Sequence, residues 1–490
     1  INVFFFLSGV ESLPTGDDGS QARTDAGFKI VQMLYHLMKG LKKAGAEGSD
    51  LLQWIIRLSF CFFAENTGLL HKHAFYDYLL NTEPRLMNLR LGEFFSTLNT
   101  PLDKRGSALP SELMSLPYVG GTLFHEKGSP VDWSPDLRER VLMCSFLDWG
   151  ILDPVSFGPL LQAALKPGYR YHQSRFFISE EKIQYVLRPL FIDPLARKLK
   201  DSAFDRYALL RFLGELSSLR FYDPVCRSGT MLAVAYRELR RLEMEALALL
   251  NDPAVSAQVA LSQFYGTDLQ EESVQIAQMV MEMTRHLCDC EAIEKRISVQ
   301  QGRRERADIQ ALNSLSCSWE EATAPRAVDY IFADLPNTPA RALQARHKAE
   351  LGQLLYGIRA CGNLDYATGW YIKAAAYMRG TRIRCAFVAP EGLSHGEQAA
   401  FLWQLLNEHH QIESNFAYPP IEWQDPESTP PSEQRIITGL SCITGTGQQI
   451  KQLYRVRENR PLPDPVSVEN INACLVASSP VYLTLRERIL

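Results

Sequence analysis

Apolar residues recur at helical spacing through the first third of the chain. Between about residues 26 and 64 they fall every three or four positions, as in Leu34, Leu37 and Leu41. Such spacing places apolar side chains on one face of a helix. Segments of this kind continue as far as residue 165, so this part of the chain is predicted to be mostly helical.

After Gly168 the pattern changes to short β-rich segments that alternate with helical ones. Strands that alternate with helices indicate βαβ units and a doubly wound parallel sheet. Ligands of such sheets bind beyond the carboxyl ends of the strands, so candidate chemistry is sought there. The predicted strands are 219–224, 264–268, 328–333, 384–388, 412–418 and 434–444, and the predicted helices are 230–250 and 270–287.

Asp223 lies at the end of the first predicted strand, and small residues, including Ser228 and Gly229, follow before the long predicted helix. Small residues at such a turn let a nucleotide-like ligand approach the backbone, and the start of the helix offers free amide groups. Asp223 could bind an ammonium or a hydroxyl group. A helix N-cap by Ser228 with a tight turn at Gly229 explains the same residues without a ligand.

The second predicted strand ends at Asp268. In doubly wound folds an acidic residue at this place holds ribose hydroxyls. The alternative is that Asp268 caps the helix predicted at 270–287. Because the first motif precedes it, we favour the ribose role for Asp268.

The strand at 328–333 leads into the tetrapeptide Asp334-Leu335-Pro336-Asn337. A polar side chain and a backbone carbonyl at such a strand end could hold an amino group against a bound methyl donor. An ordinary exit from strand to loop is the alternative, and on the tetrapeptide alone that alternative is favoured.

Composition limits the class of protein. The chain has 490 residues, enough for two or three domains, and a formal net charge of -5. A freestanding nucleic-acid binder usually has a basic balance, so any DNA contact has to come from a local basic face or from a part outside this chain. The 10 cysteines lack metal-ligand spacing, which favours free thiols, and no metal site is predicted.

The apolar runs predict neither a membrane segment nor a signal peptide. No run approaches the length of a membrane span, and the N-terminal sequence INVFFFLSGV lacks the basic residues of a signal peptide. A cytoplasmic protein is therefore expected. The chain begins at Ile1 without a methionine, which favours a piece of a longer protein.

In order and spacing, the segments together resemble the MmeI-like type II restriction-modification enzymes, which are adenine-specific DNA methyltransferases. In that family a nuclease, a helical spacer, a methyltransferase and a target-recognition part share one chain. The likeness spans nearly all of this sequence. It is carried by segments similar to the family's spacer signature (60–69 and 116–124), its Tyr-Thr segment (177–183), its donor loop and helix (223–243) and features that follow its catalytic strand (362–371 and 396–398).

The resemblance implies an α/β fold with a Rossmann-like class I S-adenosylmethionine-dependent methyltransferase domain, preceded by a mostly helical spacer domain. The spacer is expected at 1–167 and the methyltransferase domain at 168–450. Residues 451–490 are expected to begin a linker to a missing target-recognition domain. The family's nuclease would precede Ile1, and its metal motif is not found in this sequence.

The resemblance also implies a reaction, in which S-adenosylmethionine gives its methyl group to an adenine flipped out of double-stranded DNA. The family's Asn-Pro-Pro-Phe/Tyr motif holds the exocyclic amine through a side-chain oxygen and a prolyl carbonyl, and its aromatic ring stacks on the base. Here the catalytic positions are Asp334, Leu335, Pro336 and Asn337. The residues implied to bind the donor are Phe177, Ile178, Asp223, Cys226, Ser228, Gly229, Asp268 and Asn313.

The chain departs from the family at positions that carry the chemistry. Arg227 stands where the family has glycine, and its side chain must point away or it fills space that the donor needs. Ile178 replaces a threonine. Asp334 can replace asparagine as an acceptor, whereas Asn337 cannot stack as an aromatic ring does, which removes roughly 1–3 kcal/mol per base.

Three functions remain open on the sequence. The first is a site-specific DNA adenine N6-methyltransferase of a restriction-modification or related defence system, which needs a missing or separate target-recognition domain. The second is a catalytically inactive methyltransferase-like scaffold or DNA-binding subunit. The third is a methyltransferase that acts on a different amine. Binding of S-adenosylmethionine separates the second function from the other two.

Overall fold

The described residues form a helical N-terminal region followed by a nine-stranded sheet with apolar cores on its two faces. This arrangement confirms the fold class implied by the sequence. The computed structural model describes residues 19–107, 109–119, 123–124, 129–165, 180–299, 306–323, 328–356, 358, 363–423, 434–443, 450–455 and 464–478.

Helices dominate the N-terminal region, because its apolar residues fall at helical spacing over long stretches. The second helix is its centre, since nearly all of its side chains from Leu51 to Glu65 are buried. The helices are α1 (Gly19–Lys43), α2 (Gly48–Asn66), α3 (Ala74–Leu80), α4 (Met87–Leu98), α5 (Ser111–Met114), α6 (Pro135–Ser145) and α7 (Pro154–Leu165).

Further helices connect and cover the strands of the sheet. The predicted long helix is confirmed as α11, and the second predicted helix is confirmed as α12, which extends seven residues further than expected. The helices are α8 (Glu180–Leu187), α9 (Asp193–Ser202), α10 (Arg206–Ser218), α11 (Thr230–Leu250), α12 (Glu271–Glu294), α13 (Trp319–Ala322), α14 (Ala345–Leu354), α15 (Thr368–Met378) and α16 (Gly396–Gln404).

The strand order in the sheet is β3-β2-β1-β4-β5-β7-β6-β8-β9. The first five strands in this order are parallel, and the order reverses between β1 and β4. The strands are β1 (Phe221–Asp223), β2 (Phe264–Asp268), β3 (Asp308–Ala311), β4 (Tyr330–Asp334), β5 (Arg384–Pro390), β6 (Ile412–Glu422), β7 (Gln434–Cys442), β8 (Lys451–Arg455) and β9 (Asp464–Val468).

The prediction of a parallel sheet is wrong for most of the pairs beyond β5. Strand β7 is antiparallel to both β5 and β6, and β9 is antiparallel to β8, whereas β6 and β8 are parallel. No helix separates β6 from β7 in the described residues, and a parallel pair requires a longer crossover. Strands β8 and β9 also lie in the segment 451–490, for which the sequence predicted the start of a linker. Strand β3 was not predicted, because its four residues are too short a run to be recognised as a strand.

The helical region packs directly on the helices that cover the sheet. Gln162 of α7 donates a hydrogen bond to the Ser273 hydroxyl of α12 at 2.7 Å. Farther along α12, His286 Nε2 lies 3.2 Å from the carbonyl oxygen of Thr67. One continuous apolar cluster includes side chains from both regions, so the helical region and the sheet share a core.

Candidate active site at the strand ends

The loop after β1 is held against the end of β2 by backbone hydrogen bonds. The Cys226 amide donates to the Thr267 carbonyl at 3.0 Å. Within the loop, the Gly229 amide donates to the Cys226 carbonyl at 2.7 Å. These bonds fix the path of the chain from the end of β1 into α11.

Asp223 lies at the base of this loop and is almost completely buried, with 1% exposure. Its Oδ1 accepts a hydrogen bond from the Val225 amide at 2.9 Å. The pKa of Asp223 is raised to about 8, mainly by burial. The Val225 amide and Arg227 lower this pKa, and the nearby carboxylates of Asp334 and Asp268 raise it. A proton or a bound cation therefore stabilises this site.

Arg227 connects two strand ends. It adopts a left-handed backbone conformation, with φ of 49°, which is uncommon for a residue other than glycine. In this conformation its amide donates to Asp268 Oδ2 at 3.2 Å. Its side chain does not point away: Nη1 lies 3.2 Å from Asp334 Oδ2, and Nη2 donates to the Asp334 carbonyl at 3.4 Å. The guanidinium thus covers the first position of the tetrapeptide.

The other loop residues face the protein interior. Burial raises the pKa of the Cys226 thiol well above its usual value. The buried Ser228 lies beside α7, because a Cβ added to Gly158 would be 3.2 Å from Ser228 Cβ. Gly229 occupies the N-cap position of α11 with φ of 78°, and a Cβ there would lie 2.9 Å from Ala277 Cβ. The N-cap by Ser228 that the sequence left open is therefore wrong.

Asp268 is positioned at the end of β2 by three backbone amides. Its Oδ1 accepts from the Gln270 amide at 2.9 Å, its Oδ2 accepts from Arg227, and its carbonyl oxygen accepts from the Leu312 amide at 2.9 Å. Helix α12 begins at Glu271 with Gln270 at the N-cap position. The alternative that Asp268 is the N-cap is therefore wrong, and its carboxylate stays at the rim of the site.

Asp334 ends β4 on the other side of β1. Its side chain is 7% exposed, and Oδ2 contacts Arg227. Oδ1 is buried and has no hydrogen-bond partner among the described residues. A buried acceptor without a donor is costly, so this atom offers a position for a donor group of a ligand.

The residues after Asp334 differ in their surroundings. The Leu335 side chain is fully buried, its amide donates to the Val388 carbonyl at 2.9 Å, and its own carbonyl accepts from Nη1 of the buried Arg435 at 2.9 Å. Proline at this position would lose the bond to Val388. Asn337 is exposed. The carbonyl that the family uses to hold an amine is therefore already bound to an arginine.

Asn313 follows β3, but both ends of its carboxamide are engaged. Its Nδ2 donates to Glu350 Oε1 at 2.9 Å, and its Oδ1 accepts from the Leu315 amide at 3.0 Å. Glu350 also accepts a short hydrogen bond from the Tyr366 hydroxyl. Asn313 thus ties the end of β3 to α14.

A second polar cluster, not identified in the sequence, holds the loop that follows the tetrapeptide. The buried Asp365 carboxylate accepts from the Ala340 amide at 2.8 Å and from Gln398 Nε2 at 3.0 Å. The Asp365 amide donates to Gln398 Oε1 at 3.1 Å. The two residues belong to segments 362–371 and 396–398, which carry part of the family resemblance. Residue spacing alone did not predict the contact between them.

Two predicted donor-binding residues, Phe177 and Ile178, lie outside the described residues. Within the described ranges, no group of three or more His, Cys, Asp and Glu side chains is arranged to hold a metal ion. The described helices also include none with the length and apolar character needed to cross a membrane.

Comparison with family models matches two parts of the chain. Residues 198–455 match the model described as MmeI, DNA-methyltransferase domain, which covers more than half of the chain. The chain belongs to the MmeI family. Residues 49–124 of this MmeI family member match a second model, described as MmeI, helicase spacer domain.

Two relatives support the assignment to the MmeI family. DNA methyltransferase A of Bacillus subtilis (strain 168) is 29% identical over 387 residues, which cover 77% of this chain and 44% of that protein. The solved structure of the type IIL restriction-modification enzyme MmeI in complex with DNA matches with a TM-score of 0.82 and 28% identity, over 93% of this chain and 62% of the other. The chain thus spans less than half of one relative and about three fifths of the other.

Proposed function

We propose that this chain is the methyltransferase portion of a restriction-modification enzyme and transfers a methyl group from S-adenosylmethionine to the exocyclic amine of an adenine in double-stranded DNA. The observation that carries the proposal is the position of three acidic side chains. Asp223, Asp268 and Asp334 end three neighbouring parallel strands, on both sides of the place where the strand order reverses. Doubly wound sheets bind their ligands at this place.

The acidic residues on either side of the loop complement the charge of the donor. S-adenosylmethionine carries a sulfonium, an ammonium and a ribose diol, and it supplies an electrophilic methyl group when bound. Asp223 would hold the ammonium, because a cation stabilises its buried carboxylate, and Asp268 would hold the ribose hydroxyls. We call Asp223, the loop 224–229 and Asp268 the donor side of the site.

We call residues 334–337 the base side. The partnerless Asp334 Oδ1 would accept a hydrogen bond from the amine, and this would hold the nitrogen lone pair toward the methyl group. Transfer would join the nitrogen to the methyl carbon as the carbon–sulfur bond breaks. The sulfur would keep the bonding electron pair as a neutral thioether, and the amine would release one proton to solvent. Removal of water and positioning provide most of the rate in such a reaction.

The contacts of Arg227 and Arg435 favour a second function, that of an inactive methyltransferase-like scaffold or DNA-binding subunit. Arg227 binds Oδ2 and the carbonyl of Asp334, and Arg435 binds the Leu335 carbonyl that would be the second acceptor for an adenine amine. If these contacts persist when DNA is present, Asp334 Oδ1 alone is left to hold the amine, and the guanidinium of Arg227 lies beside it. The two functions make opposite predictions about methyl transfer.

Titration calorimetry with S-adenosylmethionine, followed by transfer of tritiated methyl groups to adenine-containing DNA, tests the proposal. We expect donor binding and methyl incorporation into adenine. Absence of donor binding at millimolar concentration would overturn the proposal, and binding without incorporation would favour the scaffold.

A triple variant sharpens the choice between the two functions. Arg227→Gly, Asp334→Asn and Asn337→Phe restore the family residues, whereas Leu335 is kept because its amide bond to Val388 would be lost in proline. A gain of methyl transfer in this variant would indicate that the substitutions at these three positions have reduced the activity of the site. Variants with each substitution alone serve as controls.

A further inference from the structure

An open groove of about 770 Å³ lies beside the base side. Leu351, Leu355 and Leu364 contribute its apolar surface, and all three are almost completely buried. Arg341 and Lys348 line the same groove and are exposed. We call it the α14 groove, because α14 forms one of its walls.

The two cations of the α14 groove have no acidic partner in the part of the chain that the structure describes. Neither Arg341 nor Lys348 forms an ion pair with a described residue. The only acidic residue of α14 is Glu350, and its carboxylate is occupied by Asn313 and Tyr366. Asp365 also lines the groove, but its buried carboxylate accepts hydrogen bonds from the Ala340 amide and from Gln398. The groove therefore combines an apolar floor with two exposed cations that form no ion pair with a described acidic side chain.

The groove is joined to the base side through a short, well-held segment. Pro339 lines the groove two residues after Asn337. The carbonyl oxygen of Thr338 accepts from the Tyr366 amide at 3.0 Å, and the Ala340 amide donates to Asp365. These bonds fix the groove relative to the tetrapeptide before any ligand binds.

A nucleotide strand is the ligand that fits this combination. Its phosphates match exposed cations, and its sugars and bases match an apolar floor. Tyr356, directly after Leu355, is 91% exposed and provides an aromatic face at the end of α14. An overall charge of -5 does not oppose this, because phosphate contacts depend on the local charge.

We propose that the α14 groove binds the sugar-phosphate backbone of the DNA strand next to the reacting base, with Arg341 and Lys348 in contact with phosphates. The proposal rests on the proposed function, since it takes DNA as the substrate. It assigns the DNA contact to a local basic face within this chain, in addition to any target-recognition domain.

The test is the salt dependence of DNA binding by the full chain. Each phosphate contact contributes about 0.9 to the slope of log K against log salt concentration on duplex DNA. We expect the double variant Arg341→Gln/Lys348→Gln to lower this slope by about 1.8 and to weaken binding to a fluorescent duplex more at about 50 mM than at about 200 mM salt. Fluorescence anisotropy measures both quantities.

A matched control is the double variant Lys200→Gln/Arg211→Gln, which removes two exposed cations from α9 and α10. We expect the control to keep the slope of the unsubstituted chain. An unchanged slope in the groove variant, an equal decrease in both variants, or no DNA binding by the unsubstituted chain at about 50 mM salt would overturn the proposal.

Calorimetry with S-adenosylmethionine on the same variants separates this proposal from the proposed function. We expect the groove variant to bind the donor as the unsubstituted chain does. If no donor binds but the slope still falls in the groove variant alone, the methyltransferase function fails and the DNA groove stands.

Discussion

The donor side and the base side of the site are held in different ways. On the donor side, amides of the adjoining backbone satisfy Asp223 and Asp268, through Val225, Arg227 and Gln270. On the base side, arginine side chains from other strands and loops contact Asp334 Oδ2 and the Leu335 carbonyl, while Asp334 Oδ1 has no partner among the described residues.

Backbone contacts survive most substitutions, whereas a side-chain contact is lost with one residue. The geometry of the donor side is therefore a property of the fold, and the state of the base side depends on two arginines. Four substitutions test this difference, beginning with the largest expected effect.

Gly229→Ala tests whether the donor side depends on close backbone packing. The new methyl group would lie 2.9 Å from Ala277 Cβ, and the residue has a positive φ. Overpacking and left-handed strain together are expected to lower the free energy of unfolding by about 2–4 kcal/mol. Urea unfolding followed by circular dichroism measures this loss.

Gly214→Ala is the matched control for this substitution. Gly214 lies inside α10, and nothing is within 4 Å of an added Cβ. Alanine in a helix interior is expected to stabilise the protein by about 0.5–1 kcal/mol. Equal stability changes in the two variants would show that packing at Gly229 is not special.

Asn337→Phe tests whether the base side lacks a stacking ring. Asn337 is exposed at the end of the tetrapeptide, so a ring there can reach an extruded base. We expect affinity for a duplex with one mismatched adenine to increase by about 1–3 kcal/mol. Anisotropy titrations measure the increase, and Asn337→Ala serves as a control without a ring. Similar affinities of the two variants would contradict the stacking role.

Asp223→Asn tests the charge of the donor side. Because burial raises the pKa of Asp223 to about 8, the folded protein holds a proton that the unfolded chain releases above about pH 4. The unfolding free energy therefore falls as pH rises from about 4 to about 8. Between about pH 5 and pH 8 the unfolding free energy of both proteins is compared. The decrease in the variant should be smaller than the decrease in the unsubstituted chain by at least about 1.4 kcal/mol.

Urea unfolding at several pH values measures the difference. Asp201→Asn, which changes the same charge at an exposed position on α9, is the control. A parallel loss of stability in the unsubstituted chain and in the Asp223→Asn variant would contradict the buried, protonated carboxyl.

Arg227→Gly tests the connection between the two sides and has the smallest expected effect. The Arg227 side chain is 44% exposed, so its ion pair with Asp334 is worth about 1 kcal/mol at most. If the donor has to displace this side chain, we expect its affinity to rise about fivefold. Calorimetry measures the change, with Arg227→Lys as a control that keeps the charge. Weaker donor binding in the glycine variant would show that Arg227 contacts the donor itself.

The parallel half of the sheet could be predicted from the sequence, because each strand there is an apolar run followed by a helix. The bounds of β2 and α11 were predicted to the residue. The mixed pairing beyond β5 could not be predicted, because β6 and β7 look like any two strands until their pairing is known. Strands β3 and β8 have only four and five residues, which is too short a run to be recognised as a strand.

The site was less predictable than the fold. Asp223, Asp268 and Asp334 could be predicted as site residues because each lies at the end of a predicted strand. The topology of a parallel sheet brings these strand ends together. The contacts of Arg435 and of Asp365 with Gln398 join residues that are far apart in sequence, and spacing does not reveal such pairs. The direction of the Arg227 side chain depends on its left-handed backbone conformation, which could not be predicted from the sequence.

The contact of Gly158 with the donor loop has a consequence for exchanging parts between related enzymes. A Cβ at Gly158 would lie 2.8 Å from Val280 and 3.2 Å from Ser228, so α7 fits against the loop with no room for a side chain. A helical region transplanted from a relative would have to reproduce this fit within a few tenths of an ångström. Helix α7 therefore determines the position of the donor loop, and chimeras joined between the helical region and the sheet are expected to fail unless the residues around position 158 are transferred with them.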